Sequence, residues 1–361
     1  NLSNPSNLRI LNLNNNRFMR LLPANVFPSL SHLETLDISY NTFQMCDRND
    51  SISSAFKDLR NLKRLNLAGL GDAKQCQDIT SDFFKPIRQV MTLNVSASGF
   101  FYGDQSILKP LTHLDMLVLS NVFPYSQCPS KVGSLFGNLS KSVRVIVASR
   151  WFSSVPPTER CKITMRTLQP LHSLPKLRQL VFKYGNQPFG TTLIRGTFSA
   201  LHHLQVLQIG YCGIAKIQDG AFDGLSLTSV LLSGNPIGLN QFWVQADHRP
   251  MTSVQEVILK QSYLDSIVST YNVSFIVQSF PNVKIISMAK NNLQAFPNFA
   301  ACGYQLYNKV SLEINENFIG ELPAEDMSGL CMAIANFVKL DLSKNVIRKM
   351  EYLPMSFVGK P

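Results

Sequence analysis

The sequence predicts an α/β solenoid, a curved stack of short coils. Each coil contributes one strand to a parallel sheet on the concave side, and irregular or short helical segments cover the convex side. Three observations predict it. A short motif recurs along the 361-residue chain with a mean spacing of about 27 residues. Within each copy the leucines alternate with period two, which is strand geometry; an amphipathic helix needs a period near 3.6. Many copies close on an Asn, whose amide both donates and accepts hydrogen bonds and so pairs polar backbone groups from coil to coil.

The copies follow in order. Leu8, Leu11, Leu13, Asn16 and Phe18 fit L-x-x-L-x-L-x-x-N-x-F, and the pattern returns at Leu33, Leu36, Ile38, Asn41 and Phe43. Weaker copies start at Leu62, Val90, Leu114, Val143, Leu177, Leu204 and Val254, with strong ones at Leu227, Val283 and Phe337 and a degenerate start at Lys309. That makes thirteen copies. A Phe stands six residues before several starts (Phe27, Phe56, Phe84, Phe198) and a Leu three before (Leu30, Leu59, Leu111, Leu201), which supplies the back of each coil. Leu70, Ser98, Val122, Trp151, Gly185, Cys212 and Ser262 replace the Asn in seven copies. Those coils are expected to be less regular, because the amide bonding is lost.

Composition narrows the class. Hydrophobic residues make up 45% and charged residues 16%, the opposite of a disordered chain. No run of about 20 apolar residues is present to span a bilayer. The chain starts on Asn, inside a preceding copy, and stops at Pro361 with no cysteine-rich segment at either end. Residues 1–361 are therefore expected to be one array without N- or C-terminal caps, a central piece of a longer one.

The cysteines are paired by depth. Cys46 and Cys76, Cys128 and Cys161, and Cys302 and Cys331 each lie at similar positions in adjacent copies, which brings their Cα atoms side by side as a disulfide requires. Three bridges predict an oxidising compartment. Cys212 occupies an Asn position and is expected to be a buried free thiol; the alternative for all seven is unrelated buried thiols. Asn1, Asn49, Asn94, Asn138 and Asn272 head N-x-S/T acceptors, a weak signal that agrees with that compartment.

Charge is concentrated. Between positions 139 and 216 eleven basic residues face one acid, Glu159, in a chain of net charge +11. In strand geometry positions two, three, five, seven and eight of a copy face the concave side. That places Arg144, Arg150, Arg178 and Lys183 there, with Tyr184 and Tyr211 beside them, and no acid at the inward positions of the copies starting at 143, 177, 204 and 227. The copy at Val143 is the longest, and its insertion carries Arg160 and Lys162. These residues form a candidate site for an anionic ligand, with nucleic acid and sulfated glycan as candidate occupants; the alternative is a solvated basic face.

No phosphate loop, C-x-x-C pair, H-E-x-x-H motif or dinucleotide turn is present, and His32, His113 and His203 occupy a repeat position. A wide sheet lacks the water-excluding cleft that acid–base chemistry favours. The expectation is a binding protein, not an enzyme, with no cofactor and no metal.

The L-x-x-L-x-L-x-x-N copies make the chain resemble the leucine-rich-repeat proteins, which implies a horseshoe solenoid. The Phe-x-x-Leu-x-x-Leu back face, variable copy lengths, paired cysteines and sequons resemble Toll-like receptor ectodomains. That resemblance implies the extracellular part of a single-pass type I receptor of innate immunity, at the cell surface or in the endosome. Membrane anchoring would come only through a segment outside this chain. It also implies a protein or anionic microbial ligand bound at the concave or lateral surface and the inserted loops, and ligand-induced dimerisation. A matrix or adhesion leucine-rich protein that grips sulfated glycans or protein partners stands as an alternative, as does an intracellular scaffold, which predicts reduced thiols.

Overall fold

The structure is a computed structural model. It describes residues 7–17, 27, 30–42, 54–70, 79–98, 105–121, 130–150, 163, 165–185, 187–237, 250–262, 274–297, 309–322 and 337–348. The chain divides into two compact units, Asn1–Pro188 and Phe189–Pro361.

In the first unit the period-two segments form β1 (Ile10–Asn12), β2 (Thr35–Asp37), β3 (Arg64–Asn66), β4 (Thr92–Asn94), β5 (Met116–Val118), β6 (Val145–Ser149) and β7 (Gln179–Lys183). Each begins two residues after a motif start. All pair in parallel with their sequence neighbours, and equivalent motif positions lie opposite one another. The second unit holds β8 (Thr192–Leu193), β9 (Val206–Gly210), β10 (Lys216–Ile217), β11 (Ser229–Leu231), β12 (Glu256–Ile258), β13 (Ile285–Ser287), β14 (Val310–Glu313) and β15 (Phe337–Asp341). There β9, β11, β12, β13, β14 and β15 pair in parallel in that order, and β8 and β10 form a separate two-stranded ladder. At the degenerate copy the β14–β15 register shifts between Val310 and Ser311. Helix is sparse among the described residues: α1 (Ser130–Gly137), α2 (Met165–Leu168), α3 (Ser274–Ser279) and two 3-10 segments, Ser81–Ile87 and Gln169–Ser173. This is the predicted leucine-rich-repeat solenoid with a parallel sheet.

The core is built from the motif leucines. Leu36, Leu65, Leu93, Leu117 and Ile146, each the second residue of its strand, are buried, and the residues on either side of them face outward. The predicted back face is equally buried: Phe56, Phe84 and Phe198 are fully enclosed, and Phe198 stacks on Phe222 with ring centroids 6.0 Å apart. Leu117 lies opposite Leu93 on one side and Ile146 on the other. Leu117→Ala is expected to cost about 2–5 kcal/mol, since a rigid stack collapses poorly onto a cavity. Chemical denaturation followed by circular dichroism measures it, and a loss below about 1 kcal/mol would contradict this account of the core.

The Asn bonding forms as expected. Asn41 donates Nδ2 to the carbonyls of Leu13, one coil back, and Ile38, in its own coil, at 2.9 Å each. Asn235, Asn291, Asn317 and Asn345 repeat the arrangement in the second unit. The expected irregularity of coils without Asn is not found where they are described. The ladder keeps its register through the copies starting at 62, 90, 177, 204 and 254. Short donors replace the amide within the coil: Ser98 Oγ to Val95 O (2.5 Å), Cys212 Sγ to Gly210 O (3.2 Å) and Ser262 Oγ to Lys260 O (3.3 Å). The next coil's Asn also reaches back, as when Asn235 Oδ1 accepts the Cys212 N–H. Val122 and Trp151 lie outside the described residues.

One regularity has no counterpart in the sequence pattern. The eighth residue of every copy is left-handed, with φ between 51° and 73°, whether it is Asn15, Tyr40, Gly69, Arg150, Tyr184 or Glu316. Such a φ disfavours most side chains. The turn aims the backbone N–H at the next coil: Tyr40 N to Ala68 O at 2.7 Å, Gly69 N to Ser96 O at 2.7 Å, Glu316 N to Ser343 O at 2.9 Å. The strain is thus offset by a cross-coil hydrogen bond that carries the ladder past the strand end.

Candidate functional site

The basic residues of the first unit cluster around β6 and β7. Arg144 and Arg178 stand immediately before the two strands, and Lys183 ends β7. Arg150 and Tyr184 occupy the left-handed positions after the strands, both at φ 54°. The Arg150 N–H donates to Lys183 O at 2.6 Å, and Ser149 lies opposite Lys183 in the ladder, so Arg150 and Lys183 sit at one end of the sheet on adjacent coils. Tyr184 follows, 51% exposed.

The four cations are not equivalent. The Arg144 guanidinium grips Asp115, the second residue of the preceding copy, through Nε to Oδ1 and Nη2 to Oδ2, the latter at 2.8 Å. The hydrogen bonds to Asp115, and then its charge, raise the Arg144 pKa above the ordinary value. Arg178 turns Nη1 to the carbonyls of Pro175 (3.0 Å) and Leu177 (3.3 Å). Among the described residues no carboxylate forms an ion pair with Arg150 or Lys183. Of the four expected cations, Arg144 is thus held by a carboxylate. Sequence reasoning looked for acids only within the basic copies and missed Asp115 one coil earlier. The signal was available, because equivalent positions of adjacent copies lie side by side and opposite charges there must meet.

Ion pairs between coils also occur elsewhere on the inner face, at equivalent positions for Glu34 and Glu316 and at staggered ones for Glu313. Glu34 bridges Arg9 (2.8 Å) and Lys63 (2.9 Å), each at the second position of its copy. Hydrogen bonds from Lys63 and then Arg9 hold its carboxyl below the ordinary glutamate range. In the second unit Glu313 bridges Lys260 and Lys339, and Glu316 bridges Lys290 and Lys344. Partial burial pushes the Glu313 pKa up, but the hydrogen bonds from Lys260 and Lys339 more than reverse it. These ladders neutralise several basic residues elsewhere on the sheet, whereas Arg150 and Lys183 at the β6–β7 end have no carboxylate partner among the described residues.

Tyr211 belongs to the second unit, where its hydroxyl donates to Gln261 Oε1 and its ring packs where a Gly234 side chain would otherwise lie. Cys212 is a buried free thiol, as its motif position predicts. Asn94 ends β4, and Asn138 follows α1 with Nδ2 donating to Ser134 O at 2.9 Å. Arg160 and Lys162, the six cysteines Cys46, Cys76, Cys128, Cys161, Cys302 and Cys331, and Asn1, Asn49 and Asn272 lie outside the described residues. Among the described residues no cluster of three His, Cys, Asp or Glu could hold a metal ion, and no helix is long and apolar enough to cross a membrane. The second unit also has an open cavity of about 630 Å³ bordered by Arg195, Asp219, Asp223 and Met251, in which Arg195 lies 3.7 Å from the Asp223 carboxylate.

Comparison with known proteins agrees with this architecture. A family profile described as leucine rich repeat matches residues 6–69. A crystal structure of a TLR13–ssRNA13 complex superposes with TM-score 0.61 at 16% identity, over 95% of this chain and 50% of the other. The mouse RP105/MD-1 complex superposes with TM-score 0.57 at 16% identity, over 94% of this chain and 60% of the other. An internalin of Listeria monocytogenes matches with TM-score 0.49 at 16% identity, over 95% of this chain and 83% of its own. No curated protein matches the sequence. The chain has a leucine-rich-repeat solenoid fold, similar to the folds of the TLR13 and RP105 chains. The chain spans about half the length of the TLR13 chain.

Proposed function

We propose that the chain is the extracellular ligand-recognition module of an innate-immune receptor of the Toll-like type. It binds an anionic ligand through the inner and lateral surface of the first unit and the loops inserted beside it, and it works as a receptor dimer. The observation that carries this reading is the pair Arg150 and Lys183, hydrogen-bonded through the backbone on adjacent coils. Among the described residues no carboxylate pairs with either, while Asp115 pairs with Arg144 on the Arg150 coil and Glu34 with Arg9 and Lys63 on earlier coils. A field of one sign on a broad sheet concentrates anions and speeds their capture. The ligand-bound receptors that share the fold, one with RNA and one with the MD-1 protein, support a recognition role in general terms.

The test is binding of a single-stranded RNA 20-mer and of a heparin oligosaccharide to the purified chain, with and without charge reversal at Arg150 and Lys183. Loss of RNA binding upon reversal supports the reading. Retention of heparin alone favours a matrix protein. Binding unchanged by the reversal overturns the site.

The compartment is tested separately. Non-reducing peptide mapping of the natural protein is expected to find Cys46–Cys76, Cys128–Cys161 and Cys302–Cys331, with Cys212 free. Seven free thiols would place the protein in a reducing compartment.

A further inference from the structure

The inner face of the first unit has a second distinctive region, away from the basic end. At the C-terminal ends of β1, β2, β3 and β4 the fifth motif position is Asn12, Asp37, Asn66 and Asn94. Asp37 and Asn66 are tied to one another across two coils, whereas Asn12 and Asn94 each only accept the N–H two residues on. Asn12 Oδ1 accepts the Asn14 N–H, Asp37 Oδ1 accepts from the Ser39 N–H and hydroxyl, and Asn66 donates Nδ2 to Asp37 Oδ2 at 2.9 Å. Asn94 Oδ1 accepts the Ser96 N–H at 3.0 Å, but among the described residues its Nδ2 has no hydrogen-bond partner. Asn94 and Ser96 are the first and last residues of a sequon.

Two coils away stands Tyr40, 59% exposed, at φ 53° after β2. Its ring is seated on Gly69 of the intervening coil, where a Cβ would come within 2.6 Å of Tyr40 Cδ1. Hydrogen bonds from Tyr40 N to Ala68 O and from Gly69 N to Ser96 O connect these coils directly to the sequon. Tyr40 thus lies two strand spacings, about 10 Å, to one side of Asn94 and three residues further along its coil, roughly 14 Å in all. The first three sugars of an N-linked chain cover that distance. An aromatic ring held by glycine on one side and open to solvent suits the C–H face of a pyranose.

We propose that Asn94 carries an N-linked glycan whose core sugars dock on Tyr40 across the inner face of β2–β4. The proposal rests on the extracellular reading. In the modifying step the Asn94 amide nitrogen bonds to C1 of a sugar carried on a lipid pyrophosphate. The lipid pyrophosphate leaves with the bonding electron pair, and the amide gives up one proton. The unengaged Nδ2 makes the product compatible with the folded sheet, whereas a sugar on Asn66 would break its bond to Asp37.

The test uses the chain secreted from cultured insect cells. Glycopeptide mass spectrometry is expected to find Asn94 occupied. Under native conditions PNGase F should release the Asn94 glycan about threefold or more faster from Tyr40→Ala than from wild type, because docking lowers the fraction of accessible sugar. Tyr40→Phe, which keeps the ring, should restore the wild-type rate, and release at the other occupied sites should not change. An unmodified Asn94, or equal release rates in wild type and Tyr40→Ala, overturns the proposal. Secretion is imposed by the host, so this result reads the geometry at Asn94 alone. The natural compartment is read by the disulfide state of the natural protein.

Discussion

Asn317→Ala is expected to destabilise the second unit by about 3–5 kcal/mol, far more than an average surface Asn. The side chain is buried and makes five hydrogen bonds, four of them at 3.2 Å or less. Nδ2 donates to Met288 O (3.1 Å) and Ile314 O (2.9 Å), and Oδ1 accepts from Asn291 N (3.1 Å) and Leu293 N (3.2 Å). Truncation strands two N–H groups and two carbonyls on neighbouring coils where water has little access, and each unsatisfied group costs about 1–3 kcal/mol before relaxation. The effect should be local, because a solenoid coil is stabilised by its neighbours. Urea denaturation gives the magnitude, and hydrogen exchange should show lost protection at the Asn291 and Leu293 amides. Asn16→Ala is the control: Asn16 makes the same kind of bond to Leu13 O but is exposed, so water replaces it. Equal losses in the two variants would show that the stacked amides are not what holds the coils.

The second large effect concerns the charged end of β6–β7. Arg150→Glu with Lys183→Glu is expected to weaken binding of a single-stranded RNA 20-mer by about 100-fold at 0.15 M salt, since two favourable phosphate contacts become repulsive. The neutral pair Arg150→Gln with Lys183→Gln should lose less and flatten the log–log salt dependence by about 1.4, the value for two phosphate contacts on a single strand. Both positions are on the sheet surface and neither side chain holds a described carboxylate in place, so the melting temperature should be unchanged. Arg144→Gln should have a smaller effect on binding, because Asp115 already neutralises that guanidinium. If Arg144→Gln abolishes binding while the Arg150 and Lys183 variants do not, the uncompensated pair is not the site.

The contrast between Arg144 and Arg150 shows where sequence reading ends. Both stand at inner-face positions of one copy, and nothing in that copy distinguishes them. Asp115 does, from 29 residues earlier, and it becomes a neighbour only because the ladder aligns second positions of successive coils. Ser98, Cys212 and Ser262 teach the same lesson about regularity. The motif identifies the loss of the amide, but it does not show that a hydroxyl or thiol with the next coil's Asn can keep the register.

The repeat itself was legible because it rests on short-range chemistry. Alternation places every second leucine inward, the spacing places a strand within two residues of each start, and the Phe and Leu of the back face close the coil. These follow from backbone geometry and hydrophobic burial, which any copy expresses alone. The left-handed eighth residue was not legible. Asn15, Gly69 and Gly234 suit that conformation, but Tyr40, Arg150 and Glu316 do not announce it. It exists because the adjacent coil offers a carbonyl at 2.6–2.9 Å to the N–H that the turn exposes at these three. The sequence by itself determined which residues turn inward and where each strand begins. Only the stacking of coils decided which charges meet, which remain open to a ligand, and which residues accept a strained backbone, because those outcomes depend on groups some 23 to 34 residues apart brought within hydrogen-bond reach.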